Sequence, residues 1–186
     1  RDLHLSLRRQ RQMCIRDRNS SVAEQLYQTA LDIAELKGDE VLYDLYCGTG
    51  SISLFAAKTV KEVHGFEVIV SAVEDATRNA VQNGIGNAYF HIANLDNFFK
   101  FGKGKKYPKP NVIFIDPPRA GMHKFMTNYL PKFGAEKIVY ISCNPSTQAR
   151  DAEILQNRGY RLDNLTIVDM FPHTPHIESV GVFKKY

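Results

Sequence analysis

Five short apolar runs, VLYDLY (41–46), EVHGFE (62–67), NAYFHIA (87–93), NVIFID (111–116) and KIVYIS (137–142), are each followed by a segment long enough for a crossover helix. Parallel neighbours in a sheet need such crossovers, whereas antiparallel neighbours need only a turn, so this spacing predicts βαβ units and a doubly wound parallel sheet. The last two runs, YRLDNLTIVDMF (160–171) and HIESVGVFKK (176–185), have only residues 172–175 between them. No helix fits there, and the pair must close as an antiparallel hairpin. An amphipathic helix precedes the first run: Val22, Leu26, Ala30, Ile33 and Ala34 recur at helical spacing, and Gly38 supplies a stop. FGKGKKYPKP (101–110) reads as a surface loop, and no internal repeat is present.

A chain of 186 residues with 44% hydrophobic side chains can bury one core without a metal or a disulfide framework. Its three cysteines, Cys14, Cys47 and Cys143, form no CxxC pair, so neither a disulfide scaffold nor a zinc or iron-sulfur site is expected, and a reducing intracellular setting is. No run approaches the ~20 apolar residues of a membrane span, and the beginning of the chain lacks a signal-peptide core. A cytoplasmic monomer with no membrane partner is the expectation. The net charge of +4 resides in residues 1–18, which hold six arginines against Asp2 and Asp17, while residues 19–186 carry eighteen basic and eighteen acidic side chains. Net charge therefore gives no argument for a nucleic-acid partner. Residues 1–18 are expected to form an arm outside the fold, disordered or artefactual, and residues 19–186 the domain proper.

A mostly parallel α/β sheet that ends in an antiparallel hairpin is the Rossmann-like arrangement of class I S-adenosylmethionine-dependent methyltransferases, whereas two-half dinucleotide folds continue with crossovers. DLYCGTGSISL (44–54) places a glycine turn between the first strand and a helix, with Gly48 and Gly50 permitting close approach of backbone to a ligand. Glu67 ends the second strand, where a carboxylate can accept ribose hydroxyls. The dinucleotide fingerprint would need a third glycine at position 53, which is Ser53. Asn94 and Asp96, after the third strand, suit either adenine contact or capping of a short helix through Phe98 and Phe99. Cys47 reads as a small turn filler rather than a reactive thiol.

Three further segments fall where the crevice of such a sheet opens: Asp116-Pro117-Pro118-Arg119, Ser142-Cys143-Asn144-Pro145 and His173 to Glu178. A carboxylate ahead of two prolines sits on rigid extended backbone, which suits a group fixed beside a transferring methyl. Cys143 is a thiol at a strand end and Glu178 a late carboxylate flanked by His173 and His176. This pair matches the alkylation of uracil at C5, where a thiolate adds to C6 to make C5 nucleophilic and a base then removes the C5 proton. Ser142 and Asn144 are candidates to hydrogen-bond the uracil edge or carboxylates nearby.

DLYCGTGSISL, IDPPRAG, YISCNPSTQARD and FPHTPHIESV, in that order, resemble the signature series of the RNA 5-methyluridine methyltransferases that act on tRNA and 23S rRNA, over Asn19 to the end. The resemblance implies Cys143 as nucleophile, Glu178 as base, and Tyr46, Glu67, Asn94, Asp116 and Ser51 around S-adenosylmethionine, with RNA as the partner. Two departures stand out. The family's aromatic-Gln-x-Asn stretch before the first helix has Asp17 at the glutamine position, with Asn19 kept. The family's N-terminal RNA-binding barrel and further domain have no counterpart, which implies a fragment with weak RNA affinity. Two other readings fit the same sheet: an amino-group methyltransferase, although Arg119 replaces the aromatic residue usual after Asp-Pro-Pro, and a cofactor-binding scaffold without activity.

Overall fold

In a computed structural model, which describes residues 20–95, 106–169 and 177–186, all seven runs are strands: β1 (Val41–Leu45), β2 (Glu62–Glu67), β3 (Ala88–Ile92), β4 (Val112–Ile115), β5 (Lys137–Ser142), β6 (Tyr160–Val168) and β7 (Glu178–Lys185). They form one sheet in the order β3-β2-β1-β4-β5-β7-β6. The first five are mutually parallel, and β7 runs antiparallel to both β5 and β6, with a bulge between Leu162 and Asn164. The expected fold class holds: α/β, class I methyltransferase-like, parallel with a final antiparallel hairpin. β6 ends at Val168, short of the expected 171, and β7 starts at Glu178. The basic arm, the Phe98–Phe99 helix, Asp96, His173 and His176 lie outside the described residues.

Helices cover both faces, which explains why β1 and β4 are buried at every residue. α1 (Ser20–Ala34) lays Leu26, Ala30 and Ala34, each 0% exposed, on the face that carries Leu42, Val112, Val139 and Val180, and α2 (Ser51–Ala56) packs on the same face through Ile52 and Ala56. On the other face, Tyr43, Phe66, Ile113, Tyr140 and Phe183 meet Met126 of α4 (Lys124–Tyr129) and Leu155 of α5 (Pro145–Gln156). α3 (Val70–Gln82) buries Val73, Ala76 and Ala80, and its Asn79 donates to the Thr49 carbonyl at 3.1 Å, tying the helix to the glycine turn.

Two glycines are required by one aromatic ring. A Cβ on Gly65 in β2 would lie 2.7 Å from Phe90 Cδ1 and 2.9 Å from Cys47 Sγ, and one on Gly50 would lie 2.7 Å from Phe90 Cζ. The Phe90 ring thus fills the space that both missing side chains leave. Gly65→Ala is expected to lower stability by about 1–3 kcal/mol through overpacking, read as a fall in the urea midpoint. An unchanged midpoint would mean that Phe90 swings aside at no cost.

Candidate functional site

The sheet's order reverses between β1 and β4, and side chains at the carboxyl ends of the parallel strands converge on that crevice. Directly after β1, Tyr46 adopts φ 70°, a left-handed conformation uncommon for a side chain of this size. The N–H groups of Tyr46 and Cys47 both donate to the Phe66 carbonyl, at 3.0 and 3.2 Å, so the turn is pinned to the end of β2. Such strain of the order of 1–2 kcal/mol persists only where the surroundings enforce it. Glu67 is held from three sides: Oε1 accepts the N–H groups of Val68 (2.7 Å) and Ile69 (3.0 Å), and Oε2 accepts that of Gly48 (3.1 Å). A carboxylate has about four acceptor positions, so one, on Oε2, is left for a ligand hydroxyl.

Beside Glu67 opens a cavity of about 470 Å³, within the range of small-ligand sites. Tyr46, Glu67, Val68 and Asn94 line one side, and the segment after Asp-Pro-Pro, from Pro118 to Lys124, lines the other. Gly48 reaches this wall through its bond to Glu67. Gly50 and Ser51 belong to the turn beneath, where Gly50 caps α2 at φ 82°. Cys47 is buried, which pushes its thiol well above the usual range, as expected of a turn filler.

A carboxylate that the spacing argument did not single out stands at the centre. Asp44, in β1, is 0% exposed; Oδ2 accepts the Ser53 hydroxyl at 2.5 Å, and Oδ1 is buried without a partner. Burial pushes its carboxyl up to about 7, the Ser53 bond opposes the rise, and the nearby charges of Asp116 and Glu67 add to it. A carboxylate inside an apolar run was the available signal, because buried aspartates are rare unless paired. Leu42 and Val180 face α1, and alternation along β1 and β7 carries Asp44 and Glu178 to that same face, while Asp116 and Cys143 follow directly after β4 and β5.

Cys143 is a half-buried thiol directly after β5 and is not in a disulfide. Ser142 pairs with Ser179 at the end of the β5–β7 ladder, so Cys143, the residue after Ser142, and Glu178, the residue before Ser179, both adjoin that end. Glu178 is 3% exposed. Ser142 and Asn144 are engaged within the chain rather than turned to a ligand. Ser142 Oγ donates to the Asn144 carbonyl (3.0 Å) and accepts its N–H (3.1 Å), while Asn144 Oδ1 caps α5 through Ser146 N–H (3.2 Å) and Asn144 Nδ2 donates to the Arg119 carbonyl (3.1 Å). A helix start leaves backbone N–H groups to satisfy, and Asn144 is the residue at hand. Among the described residues, no group of three or more His, Cys, Asp or Glu could hold a metal ion, and no helix is long and apolar enough to cross a membrane.

Comparison with known proteins gives this geometry a family. A sequence profile of the tRNA (uracil-5-)-methyltransferases matches residues 3–186. An uncharacterized RNA methyltransferase of Chlorobaculum tepidum is 44% identical over 168 residues, 90% of this chain and 35% of its own length. One of Staphylococcus epidermidis is 46% identical over 165 residues, 89% of this chain and 36% of its own. The chain thus spans about a third of the length of these curated relatives. Among solved structures, the Pyrococcus abyssi tRNA (uracil-54, C5)-methyltransferase in complex with S-adenosyl-L-homocysteine superposes with a TM-score of 0.69 at 34% identity, over 84% of this chain and 37% of that one. A precorrin-6y C5,15-methyltransferase of Geobacter metallireducens, at 18% identity and TM-score 0.70 over 87% of this chain and 88% of that one, shares the fold alone. With the profile matching nearly its full length and relatives above 40% identity, the chain belongs to the tRNA (uracil-5-)-methyltransferase family.

Proposed function

We propose that residues 19–186 form the transferring domain of an RNA methyltransferase that moves a methyl group from S-adenosylmethionine to C5 of a uridine, with Cys143 as nucleophile and Glu178 as base. The observation that supports the reading is the end of the β5–β7 ladder at Ser142–Ser179, which a thiol adjoins on one strand and a buried carboxylate on the other. The cofactor supplies an electrophilic methyl group on a sulfonium. Its fit is argued from the unpartnered Asp44 Oδ1, the three gathered carboxylates, which favour a cationic ligand, and the prepared Glu67, which keeps an acceptor position for a ribose hydroxyl. Tyr46 and Asn94 border the cavity beside it, Gly48, Gly50 and Ser51 belong to the turn, and Asp116 is near enough for its charge to raise the Asp44 carboxyl.

Uracil C5 is too poor a nucleophile to take a methyl group unaided. Cys143 thiolate adds to C6, a sulfur–carbon bond forms, and the C5–C6 π electrons move into an enolate. C5 then takes the methyl as the donor's carbon–sulfur bond breaks. Glu178 removes the C5 proton, the double bond re-forms, and the C6–sulfur bond breaks to return the thiolate. Mass spectrometry of the chain with S-adenosylmethionine and a short RNA loop containing 5-fluorouracil tests this directly. A covalent adduct is expected, because fluorine at C5 cannot leave as a proton does, and an amino-group methyltransferase would give none.

The two residues fail differently. Cys143→Ala is expected to abolish both adduct and product. Glu178→Gln is expected to permit addition and methylation but to block release, so methylated RNA with ordinary uridine accumulates on the protein in denaturing gels. Methylation by Cys143→Ala, or neither adduct nor product from a folded, cofactor-binding Glu178→Gln, would refute the assigned roles.

At the cofactor, Glu67→Ala removes a charge-assisted bond worth roughly 1.5–3 kcal/mol, so calorimetry should find S-adenosylhomocysteine held about ten- to a hundredfold more weakly. Unchanged affinity removes Glu67 from the site.

Asp44 gives a pH signature. Its folded value, about 7, exceeds the ordinary 3.8, so its contribution to folding is fully present below the ordinary value and is lost as pH rises through 7. A bound ammonium reverses the bias toward the neutral form, and binding then expels a proton below pH 7. Affinity for S-adenosylhomocysteine is expected to rise by up to about tenfold per pH unit towards 7 and to level off above it, and Asp44→Asn should flatten this slope. Calorimetry in buffers of different ionisation enthalpy reads the proton release, and its absence in the unmodified chain would remove Asp44 from the cofactor's surroundings.

A further inference from the structure

α5, the helix that follows Cys143, turns a polar face inward. Asn144, Thr147, Gln148 and Asp151 recur at the spacing that a helix packed on a sheet ordinarily fills with apolar side chains, and Gln148 and Asp151 are 5% and 1% exposed. Each makes hydrogen bonds to a specific part of the site. Asn144 Nδ2 and Thr147 Oγ1 donate to the Arg119 carbonyl at 3.1 and 3.4 Å. Gln148 Nε2 donates to the Tyr140 carbonyl, and its Oε1 accepts the Ser179 hydroxyl, both at 2.8 Å, one residue from Glu178.

Asp151 gathers four donors. Oδ2 accepts the Met122 N–H (2.9 Å) and the Tyr140 hydroxyl (2.8 Å), and Oδ1 accepts Arg150 Nε (2.9 Å) and Nη2 (2.7 Å). Arg150 Nη2 also donates to the carbonyls of Ala120 (3.2 Å) and Met122 (3.4 Å). Between them Gly121 takes φ 79°, and a Cβ there would meet Arg150 Nη2 at 2.5 Å and Asp151 Oδ2 at 2.9 Å. Bare backbone is thus fitted to the pair.

We propose that Asp151, with Arg150, is a positioning residue for methyl transfer: it clamps the Pro118–Lys124 wall of the cavity to β5 and α5, the elements that flank Cys143. The inference deepens the reading of the cavity as the cofactor site and rests on it. An apolar residue at position 151 would pack the helix without the desolvation penalty of a buried carboxylate. What only the carboxylate provides is direction, since it joins one backbone N–H of the wall to one hydroxyl of β5. Methyl transfer needs that kind of constraint, because a misplacement of about 1 Å can slow a reaction of oriented partners about a hundredfold.

The test compares Asp151→Asn, which turns a donor toward donors, with Leu155→Ala, which removes a side chain of 0% exposure from the same helix. Hydrogen exchange at the Met122 amide, S-adenosylhomocysteine affinity and the thermal midpoint are measured for both. Asp151→Asn is expected to speed Met122 exchange about tenfold or more and to weaken binding by a similar factor, for loss of charge-assisted bonds. Leu155→Ala should lower the midpoint further, as a core truncation, yet leave exchange at Met122 and affinity within about twofold. Unchanged Met122 exchange in Asp151→Asn, or equal acceleration in Leu155→Ala, overturns the proposal. If the unmodified chain binds no S-adenosylhomocysteine, the cofactor reading fails separately, and the exchange comparison still decides whether the clamp exists.

Discussion

The reversed direction of β7 is the constraint on which the reactive end of the molecule depends. Parallel strands all deliver their carboxyl ends to one edge of a sheet, so residues early in a strand are carried to the opposite edge. Only a strand running backwards can bring its first residue there. Pairing antiparallel to β5, β7 sets Glu178 beside the position that follows Ser142, and the Ser179 hydroxyl, bonded to the Ser142 carbonyl at 3.3 Å and to Gln148 at 2.8 Å, fixes that pairing at its end. The carboxylate is held by backbone register, and the thiol directly follows the last paired residue of β5.

At the neighbouring strand ends the chain keeps unfavourable electrostatics in place. Asp44, Glu67 and Asp116 lie close enough for the latter two to raise the Asp44 carboxyl, and one buried oxygen of Asp44 has no partner. Tyr46 adds backbone strain in the same turn. Uncompensated charge and strain at neighbouring strand ends oppose folding, and their occurrence next to a cavity that Tyr46 and Glu67 line is a physical argument for a ligand that relieves them. A sulfonium with an α-ammonium group has the sign of charge that these carboxylates lack.

Strand positions and hairpin were legible because segment length alone separates crossover from turn, and that Cys143 and Glu178 fall at strand ends was legible for the same reason. What the sequence concealed depends on register and packing between distant segments. Gly50 suggested ligand approach, yet the space beside it belongs to Phe90, forty residues on in another strand. Asn144 and Ser142 suggested substrate contact, yet the start of α5 uses them. His64 and His91 gave no signal as a pair. Their nitrogens meet at 3.0 Å across β2 and β3, and burial lowers both, His91 to about 4 with help from His64 and Lys106, so the pair is neutral at pH 7. Asp151 carries no local signal of its role, since nothing near it in sequence announces that Met122 and Tyr140 converge on it.

The polar face of α5 bears on how separate parts of the candidate site can be aligned by one small domain. A methyl donor and a nucleophile held by separate loops would each fluctuate, and the errors would add. Here the helix starts two residues after Cys143, bonds the Arg119 and Met122 backbone on the cavity side, and reaches β7 through Gln148 and Ser179. Cavity wall, thiol and carboxylate are therefore referenced to one rigid element. A fully satisfied buried polar network is directional in a way that apolar packing is not, and it specifies one arrangement. In a site where reach and angle set the rate, that is a physical reason for α5 to spend its inward face on hydrogen bonds instead of leucines.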